Sequence, residues 1–129
     1  MSNALTVART ALSEALGDAG FRVVPEIPPT YSPPLCWVTS RPPYRQPGQT
    51  FASKRVALAV VCVAAQGTNS AAMEAVDELV SSVADVIDSL DSFRLDAEEE
   101  ISPHARYSSA QGQDFLGASV NVTTEVARA

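Results

Sequence analysis

Two hydrophobic periods alternate along this chain. From about Asn3 to Ala19, apolar residues recur at Leu5, Ala8, Leu12, Ala15, Leu16 and Ala19, the spacing of one helix face. Ser2 or Asn3 can cap the start, and Gly20 suits a left-handed stop. A second helix is predicted from about Ser70 to Leu90. At about 100° per residue its Met73, Val76, Leu79, Val80, Val83, Ile87 and Leu90 share a face.

Six other segments carry strand patterns of differing strength. Phe21 to Val24 is short and closed by Pro25, which suits a sheet edge because proline cannot donate to a ladder. Leu35 to Thr39 is a second short strand holding Trp37, which fits either a binding-site aromatic or, as the plainer reading, core filler. Val56 to Ala65 is apolar on both strand faces, the signature of a central strand covered on both sides. Leu116 to Val126 alternates, with Leu116, Ala118, Val120, Val122 and Val126 on the face predicted to meet a core. The opposite face, Gly117, Ser119, Asn121, Thr123 and Glu125, is expected to meet water or a partner. Arg94 to Ile101 offers a more polar strand, and His104 to Ser109 a weak one.

Eight of the nine prolines lie between Pro25 and Pro47. The pairs Pro28-Pro29, Pro33-Pro34 and Pro42-Pro43 disfavour helix and favour extended, polyproline-type backbone. The chain therefore leaves the core after the first helix and returns in two parts: Pro25 to Pro34 as a packed crossing, and Ser40 to Ser53 as a projecting loop without periodicity. Structureless connections of that length inside a compact domain are usually functional or disordered. At 129 residues, 46% hydrophobic and 19% charged, the whole chain (1–129) fits a single globular domain. Its longest apolar run, Val56 to Ala65, is about half of what a membrane-spanning helix needs, so no membrane partner is expected.

Charge adds an asymmetry. The net charge is −6, yet residues 1 to 73 hold six basic and three acidic residues, while residues 74 to 100 hold ten acidic residues and only Arg94 against them. On the second helix Glu74, Asp77, Glu78, Asp85 and Asp88 form an acidic stripe opposite the apolar face. The loop supplies Arg41 and Arg45, with Lys54 and Arg55 following and Tyr44 and Phe51 interleaved. Solvation alone explains such charges. The sharper reading is that stripe and loop meet in trans, where complementary patches orient association. These eleven residues, from Arg41 to Asp88, are the candidate contact site for other copies or a partner. A basic, aromatic loop also fits a small nucleic-acid-binding module.

Chemistry-bearing patterns are sparse. His104 is the only histidine, and no glycine pattern resembles a phosphate loop or nucleophile elbow. Cys36 and Cys62 stand isolated in apolar surroundings, which suggests small core residues in a reducing compartment, not a zinc site. Neither an enzyme, a cofactor nor a metal site is expected.

The order of these elements resembles a known family. An amphipathic helix ending in Gly20-Phe21-Arg22-Val23-Val24-Pro25, the Pro33-Pro34-Leu35-Cys36-Trp37-Val38 strand, a proline-bearing excursion, the strand Lys54 to Ala65, an acidic helix and a closing Phe115 to Val122 strand together look like tail-terminator proteins of long-tailed, siphovirus-type bacteriophages. The likeness covers almost the whole chain through element order and local flavour. It implies an α+β fold, with two main helices on a mostly antiparallel sheet and the proline-rich arm beside it. It also implies a virion protein at the head-tail junction, assembled in the host cytoplasm. Its expected partners are copies of itself in a hexameric ring, the tail-tube protein it caps, and the head-tail connector protein. Genome DNA would pass through the ring's channel without specific binding. A head-tail connector or another minor tail protein is the neighbouring expectation.

Overall fold

The computed structural model describes residues 3–24, 34–48, 53–66, 70–108 and 114–127. Pro28, Pro29, Pro33 and Phe51, and with them most of the packed crossing, lie outside the described residues.

Helix α1 spans Ala4–Asp18. It begins where the Asn3 carboxamide oxygen accepts the Leu5 amide at 2.8 Å. It ends at Gly20, whose φ of 102° only glycine adopts without strain. The Gly20 amide donates to the Gly17 carbonyl and the Phe21 amide to the Leu16 carbonyl, at 3.0 and 3.2 Å, a paired C-terminal cap that turns the chain sharply toward the sheet. Helix α2 spans Ser70–Asp88. Its buried stripe is Ala72, Val76, Val80, Val83, Ala84 and Ile87. Met73, expected on that stripe, is instead exposed. The small Ala72 and Ala84 let the helix approach the sheet, and the stripe is rotated toward them.

Six strands form one sheet in the order β1-β2-β3-β6-β4, with β5 also on β6. They are β1 (Val23–Val24), β2 (Leu35–Pro47), β3 (Ser53–Gln66), β4 (Arg94–Leu95), β5 (Ala105–Ser108) and β6 (Asp114–Ala127). All pairings are antiparallel except β1 with β2. The fold is thus α+β, two helices on a mostly antiparallel sheet. Strand β3 sits centrally as its two-sided apolar run predicts, and every residue from Val56 to Val63 is buried. Its even-numbered side chains join the helix-facing core, while Val61 and Val63 join a second cluster with Leu35, Trp37 and Phe115 on the opposite face.

Two expectations change here. The stretch from Ser40 onward is not a structureless loop: β2 continues to Pro47, so the β2–β3 connection begins only at Gly48. Periodicity fails in the sequence because the register shifts. Ser40 pairs with Leu58 and Arg45 with Val56, so residues 41–44 of β2 stand against Ala57 alone. Likewise β6 does not present its second face simply to solvent. Asn121 is buried, its amide nitrogen donating to the Glu99 carbonyl at 2.9 Å and lying 3.0 Å from the Ser102 hydroxyl. That face is lined at its edge by β4, the single bridge Ile101 to Val120, and β5. The predicted polar strand from Arg94 to Ile101 is thereby reduced to a two-residue strand and one bridge, while the weak strand near Ser108 forms.

Gly117 marks where this covering is tightest. A β-carbon there would fall 2.7 Å from the Cys62 carbonyl oxygen and 2.8 Å from the Tyr107 ring. Backbone cannot yield as a side-chain tip can. Gly117→Ala is therefore expected to cost about 2 to 3 kcal/mol through overpacking, read as a lowered urea midpoint; an unchanged midpoint would show the contact to be loose.

Candidate partner-contact surface

The five acids of the predicted stripe all project from α2 away from the sheet, and all are exposed. Asp77 has a neighbour: its carboxylate lies 2.8 Å from His104 Nε2, tying the middle of the helix to the segment before β5. Among the described residues no cation lies within ion-pair distance of Glu74, Glu78, Asp85 or Asp88. No basic residue occupies the last turn of α2, so Asp85 and Asp88 also face the negative end of the helix dipole unrelieved.

The basic residues separate into different environments. Arg41 turns inward across the sheet face opposite the helices. Its Nε donates to the Leu58 carbonyl at 3.1 Å and one Nη to the Asp96 carboxylate at 2.6 Å, with the Val122 carbonyl at 3.4 Å. It thus ties β2 to β3, β6 and the end of β4, and does not project. The small Ala57 and Ala59 beneath leave room for it. Tyr44 is half-buried against the helix-facing core. Arg55 lies 3.9 Å from Glu125, a loose pair on a partly exposed surface worth little on its own. Arg45 is exposed and Lys54 half-buried, and among the described residues no carboxylate pairs with either.

Asp96, which sequence reasoning passed over, organises the segment after β4. One carboxylate oxygen accepts the Glu98 and Glu99 amides at 2.8 and 3.1 Å, while the other accepts Arg41. The Glu98 amide above all, then the Glu99 amide and the Arg41 guanidinium, hold its carboxyl below the usual range, against an opposing push from burial. The available signal was the Asp-x-Glu spacing, since an aspartate commonly accepts from the amide two residues on and sets a turn.

Between the irregular part of β2 and the segment 91–98 lies a cleft of about 780 Å³, walled by Arg41, Gln46, Arg94 and Asp96 and floored by Ala57 and Thr123. Its charges are of both signs, which suits polar contact more than capture of one strongly charged ligand. Among the described residues no three carboxylate, imidazole or thiol groups converge as metal ligands would. Compared with protein-family models and with curated proteins, the chain matches none.

Proposed function

We propose that this chain is a structural subunit that joins copies of itself into a ring closing the tube of a phage tail, as the tail-terminator resemblance suggests. One observation carries it: among the described residues, acids on α2 and cations at the β2–β3 end stand apart, and most of them have no ion-pair partner. Glu74, Glu78, Asp85 and Asp88 stand on α2 without cations, and Arg45 and Lys54 stand at the β2–β3 end without carboxylates, among the described residues. Two unlike, complementary patches on one subunit make a head-to-tail contact, and a head-to-tail contact that closes on rotation makes a ring. The nucleic-acid module loses ground, since Arg41 and Arg55 already face carboxylates. The two remaining cations would give a salt slope of only about −2.

The purified chain mixed with tail-tube subunits is expected to form a ring by native mass and to stop tube growth in electron micrographs. A double reversal, Arg45→Glu with Lys54→Glu, weakens association at least about tenfold. So does Glu78→Lys with Asp85→Lys. Mixing the two variants restores assembly, because each then meets an opposite patch. Tubes that lengthen unchecked beside a permanently monomeric chain would sink the proposal.

A further inference from the structure

The two cysteines, 26 residues apart in sequence, are directly opposed on neighbouring antiparallel strands, Cys36 on β2 and Cys62 on β3. Antiparallel positions are of two kinds, and the backbone says which this is. The Cys36 amide donates to the Arg22 carbonyl at 2.9 Å, on the β1 side of β2. In such a strand a residue's N–H and C=O point the same way, so neither is aimed at β3. The pair is therefore of the non-hydrogen-bonded kind, with α-carbons about 4.5 Å apart and side chains at their closest. That separation falls inside the range disulfides require. The sulfurs are 3.5 Å apart, both thiols are free, and both lie on the helix-facing side of the sheet in the main core. Bond formation needs an approach of about 1.5 Å, within reach of a side-chain rotation. The chain holds no third cysteine to compete.

We propose that Cys36 and Cys62 are a latent cross-strand disulfide, closed by hydrogen peroxide that diffuses into the core. The sulfur of one cysteine attacks a peroxide oxygen, the O–O bond breaks, and a sulfenic acid and one water result. The second sulfur then attacks the sulfenic sulfur, the S–O bond breaks, and a second water leaves. Two thiols are oxidised, one peroxide is reduced to two waters, and one S–S bond forms. The reaction is slow in the folded chain. The thiol-to-thiol hydrogen bond, then burial, keeps Cys62 strongly in its protonated form, and the thiolate is the reactive species. Closure links the sheet's central strand to β2 and stiffens the layer on which both helices rest.

The test uses the folded, fully reduced wild-type chain held with excess hydrogen peroxide, then quenched, denatured and assayed for thiols. Expected are a fall from two reactive thiols to none and a linked pair of tryptic fragments, one with Cys36 and one with Cys62, that separates on reduction. The urea midpoint rises on oxidation and returns with dithiothreitol. Cys62→Ala, checked for folding by circular dichroism, gives no linked fragments. The proposal is overturned if both thiols survive in the folded state, if they proceed to sulfinic or sulfonic acids unlinked, or if cross-linked dimers form instead.

Discussion

Replacing Trp37 by alanine is expected to remove about 4 kcal/mol of stability, the largest loss from any single side chain outside the helix-facing core. Trp37 is 2% exposed, at the centre of the cluster with Leu35, Val61, Val63 and Phe115 on the far face of the sheet. Its ring meets Tyr107 edge to face, centroids 5.9 Å apart at 90°, an arrangement worth up to about 1 kcal/mol beyond burial. No neighbour can collapse into the space, because β2 is pinned between β1 and β3 and the Tyr107 ring already rests on Gly117. A small domain has only about 5 to 15 kcal/mol in total, so the variant is left marginal. Its urea midpoint, followed by circular dichroism, should fall by roughly 2 M. Trp37→Phe keeps an aromatic on Tyr107 and should lose less than half as much. A loss below about 1 kcal/mol for the alanine variant would mean the second cluster is not packed as described.

The second large effect is expected at Asp96. Asp96→Ala removes the acceptor of two amides and the partner of Arg41, with side chains about one-fifth exposed, and should cost about 2 to 3 kcal/mol. Asp96→Asn retains an oxygen for the Glu98 and Glu99 amides but not the charge, and should cost about half as much. The two variants therefore separate turn from ion pair. The pH dependence has a definite sign. Because the carboxyl titrates lower in the folded chain than its ordinary value of 3.8, the unfolded chain takes up the proton first as pH falls. The contribution is complete above that value and disappears as pH falls through the folded pKa. Wild type should thus exceed Asp96→Asn by a constant margin from pH 5 to 7, and the margin should shrink toward pH 2. A margin that persists undiminished in acid would contradict the assigned ion pair. Comparing the two proteins cancels the other carboxylates, which titrate in both.

What the chain discloses in advance is whatever repeats locally. Helix α2 follows from a seven-position apolar stripe, β6 from alternation, and β3 from ten apolar residues in a row. Each signal is written within one element. The pairings that shape the surface are not local. Arg41 and Asp96 are 55 residues apart, and their meeting depends on the β2 irregularity that brings an arginine across two strands. Cys36 and Cys62 look isolated until the β2–β3 register sets them face to face. Asn121 looks like any outward polar residue of an alternating strand, and only the return of residues 96–107 along β6 buries it and satisfies its amide. Prolines misled most: Pro42, Pro43 and Pro47 suggest an exit from the sheet, yet a strand tolerates proline where nothing on that side needs its missing donor. Of the candidate contact residues, the α2 acids stand where helical spacing puts them, whereas Arg41 and Tyr44 are turned to internal work. Phe51 lies outside the described residues.

Those same prolines bear on how copies of this chain avoid sticking together uncontrollably. Among the described residues, β1 pairs only with Cys36 and Trp37 on the outer side of β2, and no strand pairs on that side with the ten positions from Val38 to Pro47. An unguarded margin of that length templates runaway stacking. Here three of its ten positions carry no N–H, and the bulge at 41–44 twists the rest out of line. At the opposite margin β4 and β5 are two and four residues long. Neither side can extend the sheet indefinitely into a neighbour. Fibrils are thereby discouraged, and association is left to side chains, whose charge and shape select a partner and limit how many subunits join.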